Sequence, residues 1–163
     1  KACGLGKKIG PVVKKVEIRE ENGNREWLNR DDLFFSYRYS NLKKEKIVIL
    51  KAVFNLFPEE QEILEERIRE FCYLRKEGQP LEWPSAGSVF LNPEGNSAAR
   101  IIEEMGLKGL RLGRAQISSK HSNFIVNLGG AKSWEIEYLI NWVQKEVYKN
   151  KGIWLEREVE LWP

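Results

Sequence analysis

Alternating runs of apolar and polar residues predict a small sheet in the first third of the chain. Residues 12–19 alternate in part, and residues 25–29 return as a partner strand after the strong hairpin signal Asn22-Gly23. Residues 47–56 form a long, largely apolar run rich in β-branched side chains, which is typical of a central strand. The three segments together predict one small sheet.

A helix, a linker and a second domain are predicted to follow this sheet. Pro58 stands at a helix-start position with acidic residues behind it, and Gly78 is expected to end the helix. The segment QPLEWP that comes next is bounded by prolines and predicts a domain boundary. We therefore predict a first domain over residues 1–57, a helix and linker over 58–83, a second domain over 84–150 and a terminal strand over 151–163.

The second half mixes short strands with two helices. Ser97 is expected to cap a short helix, and Ser133 a longer one whose apolar residues follow the helical period. Strand-like pieces lie around Gln116 and Phe124, and alternation from Trp154 predicts a final strand. Because strands and helices occur in both halves, the predicted fold class is α+β.

The segment PSAGSVFLNP, residues 84–93, stands between two helical patterns. Its small residues allow the backbone to bend and to approach another group closely, which predicts a tight turn with Ser88 at its exit. From these residues alone, Ser88 is either a hydrogen-bonded turn residue or a serine placed for chemistry.

Composition narrows the possible classes of function. Apolar residues at 42% and charged residues at 31% are typical of a globular protein, and a net charge of +3 argues weakly against a dedicated nucleic-acid binder. Cys3 and Cys72 are too few for a disulfide scaffold, and no apolar run could span a membrane, so a reducing cytoplasm is expected. The single histidine, His121, argues against a metal site, and the missing G-x-S-x-G elbow argues against a serine hydrolase.

Three polar groups could carry chemistry. Arg38 lies between two tyrosines, where its guanidinium could bind a carboxylate or phosphate, or could stack on aromatic rings at a sheet edge. Glu156 and Glu158 share one face of the predicted final strand, which alternating charges on an exposed edge would also explain. A glycine-punctuated segment could cradle an anion or form a solvated basic loop, and its basic residues are Lys108, Arg111, Arg114, Lys120 and His121.

Four segments, in this order along the chain, resemble the motifs of a known family. YRYS, QPLEWPSAGSVFLNP, GLKGLRLGRAQISSKHSNFIVN and GIWLEREV are similar to segments of the UDP-N-acetylenolpyruvoylglucosamine reductases, the MurB-type flavoenzymes of peptidoglycan synthesis. The resemblance covers the whole chain and is closest to the shorter, second type, because no long insertion precedes AGS. It implies the C-terminal part of a flavin-binding α+β domain followed by a small α+β substrate-binding domain.

The resemblance also implies a reaction and a role for particular residues. NADPH would reduce FAD, and hydride would then pass to UDP-N-acetylglucosamine enolpyruvate to give UDP-N-acetylmuramate. Ser88 would donate the proton, Arg38 would hold the substrate carboxylate, and Glu158 would assist with the developing charge. The implied substrate contacts are Asn92, Lys108 and His121, with Gln116, Ser118 and Lys120 as neighbours. The implied flavin contacts are Gly4, Gly6 and Ile9, in a stretch where Lys1, Cys3, Gly4 and Leu5 depart from the family pattern.

We also expect a cytoplasmic monomer without a metal, a membrane or a nucleic-acid partner. The family's N-terminal portion, which carries the main FAD pyrophosphate loop, has no counterpart here, and the chain begins with Lys inside a glycine-rich stretch. We therefore expect a fragment that neither binds FAD tightly nor turns over alone. The competing interpretations are a non-catalytic nucleotide-sugar-binding module and, less favoured, a basic RNA-associated domain.

Overall fold

The computed structural model describes residues 8–43 and 46–162, which fall into two compact units. Unit 1 is Lys1–Phe71 and unit 2 is Cys72–Pro163, so their boundary lies within a long helix, α1, Gln61–Gly78. The segment predicted as the domain linker belongs to unit 2, and the four predicted domain ranges stay a prediction. Each unit combines strands with helical segments, as the predicted α+β class requires.

Unit 1 is built on a three-stranded antiparallel sheet in the order β2-β1-β5, beside a short hairpin of β3 and β4. Its strands are β1 Val13–Arg19, β2 Arg25–Asn29, β3 Phe35–Ser36, β4 Tyr39–Ser40 and β5 Val48–Phe54. The predicted hairpin between β1 and β2 is confirmed. A small core forms where one face of β1 packs on Leu33, and its buried β1 members are Val13, Val16 and Ile18.

The prediction that residues 47–56 form a central strand is wrong. Among the described residues, β5 is an edge strand, because β1 pairs with β2 on one side and with β5 on the other. Val48 is 60% exposed and Ile49 is 54% exposed, so the apolar run is not buried within the described residues. An apolar composition indicates that a segment tends to be buried, but it does not show which position the strand takes in the sheet.

Helix α1 begins later than Pro58, where the sequence pattern predicted its start. Its first hydrogen bond joins the Leu64 N–H to the Glu60 carbonyl at 3.1 Å, and the helix continues through Gly78. None of its side chains is buried, which fits its charged sequence. Within residues 8–43 and 46–162, no helix combines the length and the apolarity that a bilayer crossing requires.

Unit 2 contains a four-stranded antiparallel sheet in the order β6-β9-β8-β7 and two helices. The elements are β6 Ser85–Ser88, α2 Ala98–Glu104, β7 Arg111–Leu112, β8 Ala115–Ile117, β9 Phe124–Asn127 and α3 Ser133–Lys151. The predicted helices and the strands around Gln116 and Phe124 are confirmed. Strand β7 lies where the sequence predicted only a loop, because a two-residue strand has no detectable period.

Helices α2 and α3 supply much of the core of unit 2. The buried residues of α3 are Leu139, Ile140, Val143 and Val147, and those of α2 are Ala98, Ile101 and Ile102. Ser97 caps α2 as predicted, with its hydroxyl accepting from the Arg100 N–H. The predicted cap of α3 is wrong, because Ser133 is its first helical residue and Lys132 is the cap.

Residues 85–88 form a bulged strand and not the predicted turn. β6 pairs with β9 at Ser85 and again at Ser88, with a register shift between these two positions. Gly87 lies inside the shift with φ of 84°, a conformation that side chains other than glycine rarely adopt. The small residues therefore serve a β-bulge, which redirects the backbone at Ser88.

The C-terminal segment forms a single bridge instead of the predicted final strand. Phe90 and Arg157 face each other in an isolated antiparallel bridge. The neighbouring Leu155 carbonyl accepts a hydrogen bond from the Gln144 side chain of α3 at 2.8 Å. The prediction of a regular strand is wrong, since the segment pairs with the rest of the described chain only through this isolated bridge.

A buried carboxylate closes the turn between β7 and β8. Glu135 accepts hydrogen bonds from the N–H groups of Lys132 (2.9 Å) and Arg114 (3.3 Å). Gly113 lies directly under this carboxylate, since a Cβ at Gly113 would be 1.8 Å from a Glu135 oxygen, and its φ is 55°. The turn and the start of α3 are thereby joined through one side chain.

We expect Gly113→Ala to lower the free energy of unfolding by about 2–4 kcal/mol, since the methyl group meets the Glu135 carboxylate and the backbone is strained. The matched control is Gly152→Ala, which has a similar φ of 68° but open space around its Cβ. That control should lose only about 1 kcal/mol, from backbone strain. Denaturant titration followed by tryptophan fluorescence measures both, and equal losses would contradict a role for the Glu135 contact.

Candidate active site

Ser88 and Glu158 are brought together by backbone pairing within unit 2. The Val89 carbonyl, one residue after Ser88, accepts a hydrogen bond from the Glu158 N–H at 2.8 Å. Both Ser88 and Glu158 are half-buried, whereas Glu156 is exposed. The backbone segments that carry Ser88 and Glu158, which are distant in sequence, thus lie beside each other.

Arg38 lies in unit 1, in the two-residue turn that joins β3 to β4. Its φ is 57°, in the left-handed region that a side chain such as arginine rarely occupies. Its guanidinium carbon is 5.7 Å from the centre of the Tyr37 ring, as the aromatic-stacking alternative anticipates. Strained backbone of this kind often occurs at functional sites. The ring contact therefore supports the stacking interpretation of Arg38, and the strain is consistent with the anion-binding one.

Two predicted substrate contacts, Lys108 and Gln116, are already hydrogen bonded. The Lys108 ammonium forms an ion pair with Glu103 at 2.6 Å, between partly exposed side chains. The Gln116 side chain donates to the Gly109 carbonyl at 2.9 Å and so braces the glycine-rich loop from β8. An anion that binds Lys108 would therefore have to replace or share the Glu103 carboxylate.

His121 is an uncharged donor at neutral pH. Its Nδ1 accepts a hydrogen bond from the Asn123 N–H at 3.2 Å, which assigns the proton of the neutral ring to Nε2. Partial burial lowers the pKa of His121 below its ordinary value of 6.5, and a backbone hydrogen bond opposes this effect. The nearby Lys108 ammonium lowers the pKa further, while Glu103 raises it. The ring also meets Phe124 edge to face, with 4.7 Å between the ring centres.

The remaining predicted substrate contacts have structural partners in unit 2. The buried Ser118 hydroxyl accepts from the N–H groups of Lys120 (3.1 Å) and His121 (3.2 Å), which shapes the basic loop. The Lys120 ammonium donates to the Lys76 carbonyl near the end of α1. The Asn92 side chain accepts from the first N–H of α2, at Ala98 (3.0 Å), and so helps to cap that helix.

The predicted flavin contacts lie mostly outside the described residues. Gly4 and Gly6 precede residue 8, where the description begins. Ile9 is described, and its side chain is 39% exposed, so it could contact the apolar edge of a flavin ring. Gly10 is no phosphate cradle, because a Cβ there would be 3.1 Å from the Phe35 ring. Ile9 is thus accessible to a ligand, whereas Gly10 is packed against Phe35.

Sequence reasoning missed two buried amides that position the candidate site. Asn123 bonds both backbone groups of Phe90, and Gln144 bonds the Leu155 carbonyl ahead of Glu158. Both lie in segments for which the sequence pattern predicted strands or helices. The period of apolar residues does not show which polar side chain will be buried. For Asn123 the available signal was its place in the KHSNFIVN segment, directly before an apolar strand.

Unit 2 is an α+β domain that contains the adjacent backbone segments of Ser88 and Glu158 and the basic loop. Among the described residues, no three His, Cys, Asp or Glu side chains are grouped so that they could hold a metal ion. The family described as UDP-N-acetylenolpyruvoylglucosamine reductase, C-terminal domain, matches residues 79–162. The chain belongs to this family.

Relatives over almost the whole chain carry the same family name. A UDP-N-acetylenolpyruvoylglucosamine reductase from Caldicellulosiruptor bescii is 48% identical over 94% of this chain and 49% of the relative, and one from Thermotoga maritima is 42% identical over 99% and 57%. The crystal structure of the reductase (MurB) from Thermus caldophilus matches with a TM-score of 0.80 at 37% identity, over 94% of this chain and 54% of that one. The α+β class is thereby confirmed, and the chain spans about half the length of the curated relatives it matches.

We expect the ring proton signal of His121, the only histidine, to titrate with a midpoint below 6.5 in NMR spectra. Because the folded pKa is lowered, the neutral ring contributes stability above pH 6.5 that is lost as the pH falls through the folded pKa. Lys108→Met should move the midpoint upward, since the ammonium lowers this pKa. A wild-type midpoint at or above 6.5 would contradict the partly buried, hydrogen-bonded ring.

Proposed function

We propose that the chain supplies the substrate-binding and proton-donating part of a UDP-N-acetylenolpyruvoylglucosamine reductase. The observation that supports this proposal is the hydrogen bond from the Glu158 N–H to the Val89 carbonyl, which joins the backbone segments that carry Glu158 and Ser88. Membership of the reductase family supports the same reaction. A module that only binds a nucleotide sugar has no need of a proton donor, so this pair favours the enzyme over the binding module.

The proposed reaction adds a hydride and a proton across the double bond of the enolpyruvyl group. Bound FAD, reduced by NADPH, would supply the hydride to the terminal alkene carbon. The electron pair of the double bond then resides on the carbon that bears the ether and the carboxylate, and Ser88 donates its hydroxyl proton there. Serine is a weak acid, so it must be held accurately against a strongly basic carbon.

Charge on the substrate carboxylate would be handled by Arg38 and Glu158. A guanidinium can hold a carboxylate through two parallel hydrogen bonds and stabilise the charge that it gains in the transition state. Arg38 receives this role from its match to the YRYS motif, and its left-handed backbone is consistent with a constrained functional residue. Glu158 would assist the same step, since the bridge at Arg157 fixes its backbone near Ser88.

The diphosphate of the substrate is proposed to bind the basic loop. Lys108 carries a positive charge, and the neutral His121 presents an Nε2–H donor. Both suit phosphate oxygens, because an ammonium and a neutral N–H can bind an anion together. Gln116, Ser118 and Lys120 would shape this loop, and Asn92 would contribute from the end of the AGSVFLNP segment.

Binding of UDP-N-acetylglucosamine to the chain tests the proposed diphosphate site. We expect Lys108→Met to weaken binding about tenfold in calorimetric titrations, because a charge-assisted hydrogen bond is lost. The ion pair with Glu103 is partly exposed, so its loss should change stability little. Lys149→Met, which removes an equal charge from the last turn of α3, is the control and should bind like the wild type. Equal weakening in both variants would indicate a diffuse electrostatic attraction.

Ser88→Ala tests the proposed proton donor in the complete protein that carries this sequence, reconstituted with FAD. We expect NADPH to reduce the flavin at the wild-type rate, while reoxidation by the enolpyruvyl substrate slows at least about a hundredfold, as for loss of a general acid. Stopped-flow absorbance of the flavin measures the two half-reactions separately. Ser85→Ala makes the same chemical change in the same strand, loses only a long hydrogen bond from the Gly87 N–H (3.4 Å), and should slow reoxidation far less than Ser88→Ala does.

Reoxidation of the Ser88→Ala protein at the wild-type rate would remove Ser88 as the acid and make Glu158 the next candidate. A wild-type protein that binds UDP-N-acetylglucosamine but never reoxidises with the enolpyruvyl substrate would support the non-catalytic binding module instead.

A further inference from the structure

The side chain of Asn123 makes two hydrogen bonds to a single residue across unit 2. Its Oδ1 accepts from the Phe90 N–H at 2.9 Å, and its Nδ2 donates to the Phe90 carbonyl at 2.8 Å. Asn123 is only 4% exposed, and Phe90 is 2% exposed. A side-chain amide thus pairs with a backbone position as a neighbouring strand would, using one donor and one acceptor.

The same short stretch of chain is held from its other edge by the C-terminal segment. Phe90 forms the antiparallel bridge with Arg157 there, and the adjacent Val89 carbonyl accepts from the Glu158 N–H at 2.8 Å. The Val89 N–H donates to the Asn123 carbonyl at 2.9 Å. Residues 89 and 90 are therefore hydrogen bonded along both edges, and Asn123 makes the bonds along one of these edges.

This support matters because the regular ladder ends at Ser88. The pairing of β6 with β9 shifts register between Ser85 and Ser88, and its last pair joins Ser88 to Phe124. Beyond that pair, the amide of Asn123 takes the place of a strand partner for Phe90. The backbone that leaves Ser88, and that meets Glu158, is thus anchored by one side chain.

We propose that Asn123 is a positioning residue that holds Ser88 and Glu158 in register for proton transfer. This role rests on the proposed function of Ser88. An amide is required at this position because it offers a donor and an acceptor side by side. An aspartate has almost the same shape, but its ionised carboxylate offers no donor to the Phe90 carbonyl and places a charge in a buried site.

Asn123→Asp in the FAD-reconstituted complete protein tests the proposal. We expect substrate-driven reoxidation of the flavin to slow about tenfold to a hundredfold, because a small displacement of the donor is costly for proton transfer. NADPH-driven reduction and the affinity for UDP-N-acetylglucosamine should stay within about twofold of the wild type. The ratio of reoxidation rates in H₂O and D₂O should increase, since proton transfer then limits the step more strongly.

Asn127→Ala is the control, because Asn127 is an amide at the other end of β9 whose Oδ1 also accepts backbone hydrogen bonds, from Gly129 and Ala131 (both 2.9 Å). It should change thermal stability but neither the reoxidation rate nor the isotope ratio. If Asn123→Asp does not fold, Asn123→Ser replaces it, since a serine hydroxyl is too short to reach both groups of Phe90.

The outcomes separate this proposal from the proposed function. A protein with Asn123 intact that fails to reoxidise with the substrate would overturn the reductase function, and the positioning role with it. An active wild type combined with an Asn123 variant of normal rate and isotope ratio would overturn the positioning role alone. A variant that loses substrate affinity and rate together, with an unchanged isotope ratio, would make Asn123 a structural residue only.

Discussion

The double-sided pairing of residues 89 and 90 is the constraint on which the chemistry of unit 2 depends. One edge is supplied by the C-terminal segment through the Phe90–Arg157 bridge, and the other by Asn123. Because Asn123 and Phe90 are buried, loss of either hydrogen bond between them would leave a polar group without water, which makes this edge stiff. A stiff backbone at this place would suit the proton transfer that we propose for Ser88.

The basic loop is organised differently, because neighbouring groups of the chain partly neutralise its positive charge. Lys108 is paired with Glu103, and His121 is kept uncharged by burial and by the adjacent ammonium. Lys120 donates to the Lys76 carbonyl. Pairing of these cations with neighbouring groups reduces the repulsion between them, while their N–H groups remain hydrogen-bond donors. A bound diphosphate would therefore replace the existing partners of these side chains.

Unit 1 contains a strained backbone position at the candidate residue Arg38 and exposed apolar side chains on β5. Arg38 occupies a left-handed turn between two very short strands, an arrangement that costs on the order of 1–3 kcal/mol unless the surroundings support it. Strand β5 exposes apolar side chains within the described residues, including Val48 and Ile49. The chain spans about half of its curated relatives, and the proposed redox chemistry concerns the complete protein.

The sequence by itself determined the α+β class, the β1–β2 hairpin and the helical faces, because periodicity and turn residues act locally. It also indicated Ser88, Arg38 and Glu158, through a resemblance to motifs. Only the tertiary structure decided that β5 is an edge strand, that residues 85–88 form a bulge and that the terminal segment makes one bridge. These features depend on hydrogen bonds between distant segments, such as that of Asn123 to Phe90, and no local pattern encodes which segments meet.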